Sequence, residues 1–225
     1  MIDVAKLLDG RLGRQAISLV QRGLDLNVCD EGGWSLLHHA AYNGDVEFAK
    51  YLLSQGMEVD KRAFLPDHNI ITGQTPLHAL VFGAETKTAP ESVIECAKFL
   101  VEKGAEIDAE DSTGETPLHY IASCGRCTAL NKLAEFLIDA GGNMNKRDDH
   151  GHAPIHTLAL NGWNIDFLHL LIEKGALISI ANNYGETPLR IAYRQNNEEV
   201  FNILSKFEKM GFRLWIRRFI GMHSS

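Results

Sequence analysis

"GETPLHYI", residues 114–121, reads as the start of a short helix. Thr116 offers a hydroxyl where a helix N-cap belongs, able to accept from the amide two or three residues on. Pro117 takes the first helical position, where a missing N–H costs nothing. Leu118, His119 and Ile121 continue an apolar turn. Alone, the stretch would fit many proteins, but it recurs. "GWSLLHHA" begins at Gly33, "GQTPLHAL" at Gly73, "GHAPIHTL" at Gly151 and "GETPLRIA" at Gly185. The capping positions are Ser35, Thr75, Thr116, Ala153 and Thr187, spaced by 40, 41, 37 and 34 residues.

A second landmark keeps step with the first. Gly23, Gly56, Gly104, Gly141 and Gly175 each follow an apolar run at helical spacing, such as Val46, Phe48, Ala49, Leu52 and Leu53. Together the landmarks fit a basic period of 33 with insertions of seven residues in "RAFLPDHNIIT", eight near "GAETKTAPES", four around "CGRCTALN" and one between Ala153 and Gly175. Gly44, Gly125, Gly162 and Asn196 are placed to stop the first helix of each unit in a left-handed turn. Asp-x-x-Gly at Asp30–Gly33, Asp111–Gly114 and Asp148–Gly151 predicts a tight turn at a hairpin tip. One such helix pair cannot bury its apolar faces, whereas a row of them shares a continuous core.

The residues Gly73–Thr75–Pro76–Leu77–His78 and Gly114–Thr116–Pro117–Leu118–His119, with "GAEID" at Gly104–Asp108, resemble the ankyrin repeat family over about residues 1–210. The resemblance implies an all-α fold: a solenoid of about six helix–turn–helix units with projecting β-hairpin loops. It predicts an array over 1–210, divided as an N-capping unit 1–28 and repeats 29–61, 62–109, 110–146, 147–180 and 181–210. Residues 211–225 would follow as a C-terminal segment, either a capping helix or a basic amphipathic one. Two units depart from the pattern. Ala153 lacks the capping hydroxyl, and Arg190 stands where the other units have His.

Composition narrows the function classes. Apolar residues make up 45% and charged residues 23% of the 225, which argues against disorder. No apolar run approaches the length of a membrane span. The start "MIDVAKLLDG" has no basic n-region, apolar core or cleavage site, and the four cysteines are scattered, so a reducing, intracellular setting is expected. Net charge is −7, but residues 1–210 hold 19 basic against 29 acidic residues, −10, while the tail is basic. An acidic body argues against general nucleic-acid binding and suits a basic protein partner.

The residues with reactive chemistry read as framework. His38, His78, His119 and His156 recur at one repeat position, one unit apart, too far for shared ligation of a metal. Cys124 and Cys127 have Cys-x-x-Cys spacing but fall at a helix–helix turn, without the second pair that structural zinc needs or the helix N-terminus that activates a redox thiol. No Ser–His–Asp ordering, phosphate loop or His-Glu-x-x-His pattern occurs. No cofactor, metal or catalytic residue is expected. In the tail, Phe212, Trp215, Ile216 and Phe219 fall on one helical face. That face either caps the last repeat or meets a membrane surface through residues 212–220.

The resemblance implies that hairpin tips and the ends of first helices, lining a concave face, bind another protein. Those positions are Glu31, Trp34, Gln74, Glu115, Asp149, His150, His152, Tyr184 and Glu186 on the tips, and Tyr42, Asn43, Phe82 and Arg194 at helix ends, with Trp163 just beyond. Trp34, Tyr42, Phe82 and Tyr184 are the expected anchors, since buried aromatics dominate interface energies. Glu31, Glu115, Asp149 and Glu186 would supply complementary charge. The expected protein is a non-catalytic, monomeric binding module, cytoplasmic or translocated into a host cell. It would be a bacterial effector or an inhibitor or immunity protein, with a membrane-peripheral adaptor as the alternative.

Overall fold

The computed structural model describes residues 17–18, 20–23, 25–65, 70–85 and 90–221; for residues 65, 70–71 and 210–221 it describes the backbone only. Most of the expected N-capping unit lies outside the described residues, as do residues 66–69 of the first insertion and 86–89 of the second. The side chains of the apolar tail face, from Phe212 to Phe219, lie outside them too.

Helices come in pairs along the chain. They are α1 Leu36–Tyr42 and α2 Val46–Ser54; α3 Pro76–Glu85 and α4 Pro90–Glu102; α5 Pro117–Ser123 and α6 Thr128–Asp139; α7 Pro154–Asn161 and α8 Ile165–Glu173; α9 Pro188–Arg194 and α10 Glu198–Gly221. The first helices pack in one row, α1 on α3, α3 on α5, α5 on α7 and α7 on α9. The second helices form the other row, α2 on α4, α4 on α6 and α6 on α8. This is an all-α repeat solenoid.

The core runs the length of the stack between the rows. Leu36, Leu37, Leu77, Leu80, Leu118, Ile121, Ile155, Leu158 and Ile191 supply it from the first row. Phe48, Leu52, Leu100, Leu130, Leu133, Leu137, Phe167, Leu171, Val200 and Leu204 supply it from the second. Alanines at Ala40, Ala41, Ala79, Ala122, Ala159 and Ala192 are buried where neighbouring first helices approach. Ile17 and Val20, in the described part of the first unit, pack against the same core.

Fingers project between the pairs. Backbone bonds Gly33 N to Asp30 O, Gly114 N to Asp111 O, Gly151 N to Asp148 O and Gly185 N to Asn182 O close the tips. Asp30, Asp111, Asp148 and Asn182 each fasten the tip through Oδ1, which accepts from the amide of Trp34, Glu115, His152 and Glu186 respectively. Adjacent fingers are tied by main-chain bonds: Phe64 N to Gly33 O, Ser112 N to Thr72 O, Asp149 N to Thr113 O and Asn183 N to His150 O. The approach is close enough to require glycine. A Cβ on Gly33, at φ +79°, would lie 2.2 Å from Phe64 O.

The insertions take distinct forms. Within Arg62–Thr72 the chain folds back on its own finger: strands β1 Phe64–Leu65 and β2 Ile70–Ile71 pair antiparallel, Phe64 opposite Ile71. The second insertion lengthens helices, since Gly83 and Glu85 extend α3 and Pro90–Ser92 open α4. The third lengthens α6, which has 12 residues against 9 in α2 and α8. Here the expected left-handed stop fails: Gly44, Gly162 and Asn196 have positive φ, but Gly125 does not. Helix α5 ends instead at Cys124 in extended conformation, φ −84° and ψ 163°. The extra residues give the chain room to leave the helix without a reversal at glycine. Among the described residues no helix is long and apolar enough to cross a membrane.

Candidate functional site

The capping positions work differently from a simple hydroxyl cap. In the units starting at Ser35, Thr75, Thr116 and Ala153, the backbone N–H of the cap residue donates to Nδ1 of the histidine three residues on, at 3.2, 3.1, 3.1 and 3.0 Å. Ser35 Oγ, Thr75 Oγ1 and Thr116 Oγ1 lie 2.8, 3.0 and 2.9 Å from the same nitrogen. An Nδ1 that accepts a backbone N–H carries no proton, so each neutral ring holds its proton on Nε2. That nitrogen donates to the carbonyl of the next finger: His38 to Gln74 at 2.9 Å, His78 to Glu115 at 3.1 Å, His119 to His152 at 2.9 Å and His156 to Glu186 at 3.3 Å. Burial pushes the pKa down to about 4 for His38, His78 and His156, and lowers that of His119. In each of these four rings Nδ1 is committed to its own unit's cap and Nε2 to the next unit, leaving neither to ligate a metal. In the last unit the hydroxyl caps as expected, Thr187 Oγ1 accepting from Arg190 N.

Cys124 is 7% exposed, and burial, with the nearby Glu85 carboxylate, pushes its thiol up to about 12. Cys127 Sγ donates to Ala84 O at 3.5 Å. Cys124, so raised, is not a nucleophilic thiolate at neutral pH. Among the described residues no three His, Cys, Asp or Glu side chains are grouped to hold a metal ion.

The face formed by finger tips and first-helix ends holds the exposed aromatic residues. Over the first three fingers half-buried Trp34 and Tyr42, exposed Phe82 and buried Tyr120 form a continuous row. Trp34 lies 5.8 Å from Tyr42 and 6.0 Å from Phe82, and Phe82 meets the edge of Tyr120 at 5.1 Å. Trp34 also stacks on His38, so it serves both the row and the framework. Phe82, near the end of α3, is 37% exposed. Tyr120 anchors the far end: its hydroxyl donates to Asp111 Oδ2 at 2.8 Å and accepts from Gln74 Nε2 at 3.0 Å. Burial alone would raise Asp111, but the bonds from Tyr120, Thr113 and Glu115 outweigh it and hold that carboxyl below its ordinary value. Tyr120 was absent from the sequence-derived set. It stands directly after His119, at the position His39 fills in the first unit and Ala79 in the second, and no periodicity marks it.

The remaining expected residues divide. His150, Tyr184 and Asp149 sit on exposed tips, with the Tyr184 hydroxyl 3.5 Å from His150 Nδ1. Tyr184 and Trp163 are 68% and 61% exposed. Arg194 pairs with Glu186 at 2.8 Å. His152 is half-buried and bonded to Asn182, and burial lowers its pKa. Asn43 is drawn into the framework, its Nδ2 donating to His39 O where α1 ends. Glu31 is exposed at the first tip, and Glu115 is half-buried with no ion-pair partner among the described residues.

Paired helices in two rows, stapled by histidines and edged by linked fingers, define a repeat solenoid of the kind that binds other proteins. Family models described as ankyrin repeats match residues 126–214 and, in a second form, 16–53 and 84–134. The chain belongs to the ankyrin repeat family. It is similar to human Rabankyrin-5, 32% identical over 121 residues that make 52% of this chain and 10% of that protein. It is similar to a putative palmitoyltransferase, ZDHHC13, of Danio rerio, 28% identical over 84% of this chain and 21% of that protein. A putative ankyrin repeat protein of Rickettsia bellii is 32% identical over 45% of this chain and 26% of its own length. The chain thus spans about a quarter or less of these relatives. Where one carries an enzyme's name, the ankyrin repeats are the shared part, and that fold is generally non-catalytic.

Proposed function

We propose that this chain is a non-catalytic module that holds a partner protein on the face of finger tips and first-helix ends, which the family makes concave. The observation that carries the reading is the row Tyr42–Trp34–Phe82–Tyr120, contiguous over three repeats and open at Phe82. Large apolar groups set among carboxylates are unusual on a face with no use for them. Trp34, Tyr42, Phe82 and Tyr184 act as anchors; Glu31, Gln74, Glu115, Asp149, His150 and His152 shape the polar surround, and Trp163, Glu186 and Arg194 close the far end. The net charge of −10 over residues 1–210 suits a basic partner. The module works by occluding or tethering that partner inside a cell, as an inhibitor or immunity protein or as a bacterial effector acting in a host; the likeness to a Rickettsia protein supports the latter setting. The test is affinity capture from lysate with mass spectrometry, comparing wild type with Phe82→Ala and Tyr184→Ala. Partners retained in full by both variants would show that the face is misassigned.

A second reading rests on α10, which continues as one helix of 24 residues to Gly221. Its register puts Phe212, Trp215, Ile216 and Phe219 on one face beside Arg213 and Arg217, which suits a membrane-peripheral adaptor. Co-sedimentation with anionic vesicles, before and after truncation at Met210, tests it.

A further inference from the structure

The array departs from its pattern at α9 and α10. Six residues past each capping position, Ala41, Val81, Ala122 and Ala159 are fully buried in the row of stacked first helices. The same position in α9 is Tyr193, 72% exposed. Arg190, also exposed, stands where the other units carry the histidine that reaches the next finger. This end face is not shaped to take a further unit of the same kind. Nor is it the polar outer face that closes a solenoid. Tyr193 lies 5.9 Å from Phe201 of α10, and beside them opens a cleft of about 360 Å³ that Ala192, Asn197 and Glu198 also line.

Helix α10 carries this surface onward. It has 24 residues where α2, α4, α6 and α8 have 9, 13, 12 and 9. Positions 212 and 219, both Phe, follow Phe201 by about three and five whole turns, so the three share one line along the helix, about 27 Å long. Cleft and apolar stripe are thus in register on one helix. Its charge is graded along the same line. Residues 198–208 hold Glu198, Glu199 and Glu208 against Lys206 alone, whereas residues 209–221 hold Lys209, Arg213, Arg217 and Arg218 and no acid.

We infer that this surface pairs with its own counterpart in a second copy of the chain, the two α10 helices antiparallel about a two-fold axis, in place of the monomer expected from the sequence. The Phe219 end of each helix seats at the Tyr193–Phe201 cleft of the other. Antiparallel pairing sets the acidic start of each helix against the basic end of the other, twice over by symmetry, and opposes their dipoles. Parallel pairing would set like charge on like. An anionic membrane suits the basic half only, because the cleft end of the stripe sits among Glu198, Glu199 and the acidic body, which such a surface repels. The inference does not depend on the finger face being the binding face.

The test is the mass of the purified full chain in solution, by sedimentation equilibrium over a range of concentrations. The expected mass is that of two chains. Two charge reversals, Glu198→Lys with Glu199→Lys and Arg217→Glu with Arg218→Glu, each raise the dissociation constant by about tenfold or more. Mixed in equal amounts, the two reversed chains regain the paired mass, because each brings to the other the charge it has lost. That recovery also shows that both variants are folded. Tyr193→Ser, at an exposed position, weakens pairing by about fivefold to tenfold. A wild-type mass other than that of two chains at the highest soluble concentration overturns the inference, whether or not the chain co-sediments with anionic vesicles. A dimer untouched by both reversals, or reversed chains that stay apart when mixed, overturns it as well.

Discussion

At each of four capping positions an imidazole is held at both nitrogens, and the one unit with a missing hydroxyl tests what that hydroxyl adds. Ala153 has the extended backbone of its counterparts, φ −91° and ψ 165°, and is fully buried, as Thr75 and Thr116 are. His156 makes the longest Nε2 contact of the set, 3.3 Å. Restoring the hydroxyl in Ala153→Thr gives Nδ1 the donor it has in the other units, and stability should rise by about 1 kcal/mol. A melting temperature raised by about 2–4 °C is expected; a lower one would mean that this pocket is not equivalent to its neighbours. Cys124 allows a second check on single residues. Its thiol is buried and held protonated, so in the native protein at pH 7.5 it should react with a maleimide more slowly than Cys127, with the difference vanishing in denaturant. Equal native rates, read by peptide mass mapping, would contradict the packing of α5 against α6.

Among the elements, α3 departs most from its repeat, and Gly83 explains how. The residue sits inside the helix, where glycine ordinarily weakens it by about 1 kcal/mol relative to alanine. Yet a Cβ there would fall 1.8 Å from Tyr42 O, at the end of α1. The extension of α3 is therefore possible only because the side chain is absent where the two helices cross. Helix propensity alone predicts that Gly83→Ala stabilises the protein; the crossing predicts the reverse, a loss of about 1–3 kcal/mol from overpacking. Urea denaturation followed by circular dichroism distinguishes the signs. Because Tyr42 and Phe82 flank this crossing, the variant should also alter Trp34 fluorescence. The sequence marks Gly83 only as a glycine within an insertion. Periodicity carries the existence and pairing of the helices, because Thr-Pro-Leu-His and the terminal glycines are local signals. It does not say whether eight extra residues form a loop or lengthen two helices, since that depends on what α1 presents to them. For the same reason Gly125 resembled a helix stop: its neighbours suit one, but the turn is long enough not to need it.

At the scale of the whole molecule the face of finger tips and first-helix ends is uneven: aromatic rings touch in a row over the first three fingers and stand apart, as Trp163, Tyr184 and Tyr193, toward the last two. Trp34, Phe82 and Tyr184 were legible because tips and helix ends have fixed places in the period. Tyr120 was not, because its importance comes from Gln74 and Asp111, 46 and 9 residues away. Asn43 looked free by position and proves to be bonded to its own helix. The histidine staples, by contrast, link all five described fingers and give the stack a collective dependence on pH. Each of the four has its pKa lowered by burial from an unfolded value of 6.5, to about 4 in three of them. Between those limits the unfolded chain binds more protons than the native one, so stability increases with pH through this window and levels off above 6.5. Lowering the pH charges rings that have no place for a second proton: Nδ1 already faces an N–H donor. Asp60 and Glu115, both raised chiefly by burial, act in the opposite sense just above their ordinary values of 3.8 and 4.5, but they are two groups against the four staples, which His152 joins. Each proton taken up on unfolding contributes about 1.4 kcal/mol per pH unit, so a descent from pH 6.5 to 5 should remove several kcal/mol and lower the melting temperature by about 10 °C or more. In His78→Asn the protein should start less stable and lose stability more gently as the pH falls, because one of the four proton-linked sites is gone. A melting temperature flat from pH 7 to 5, or a slope unchanged by that substitution, would show that the rings are not the neutral, doubly bonded staples seen here.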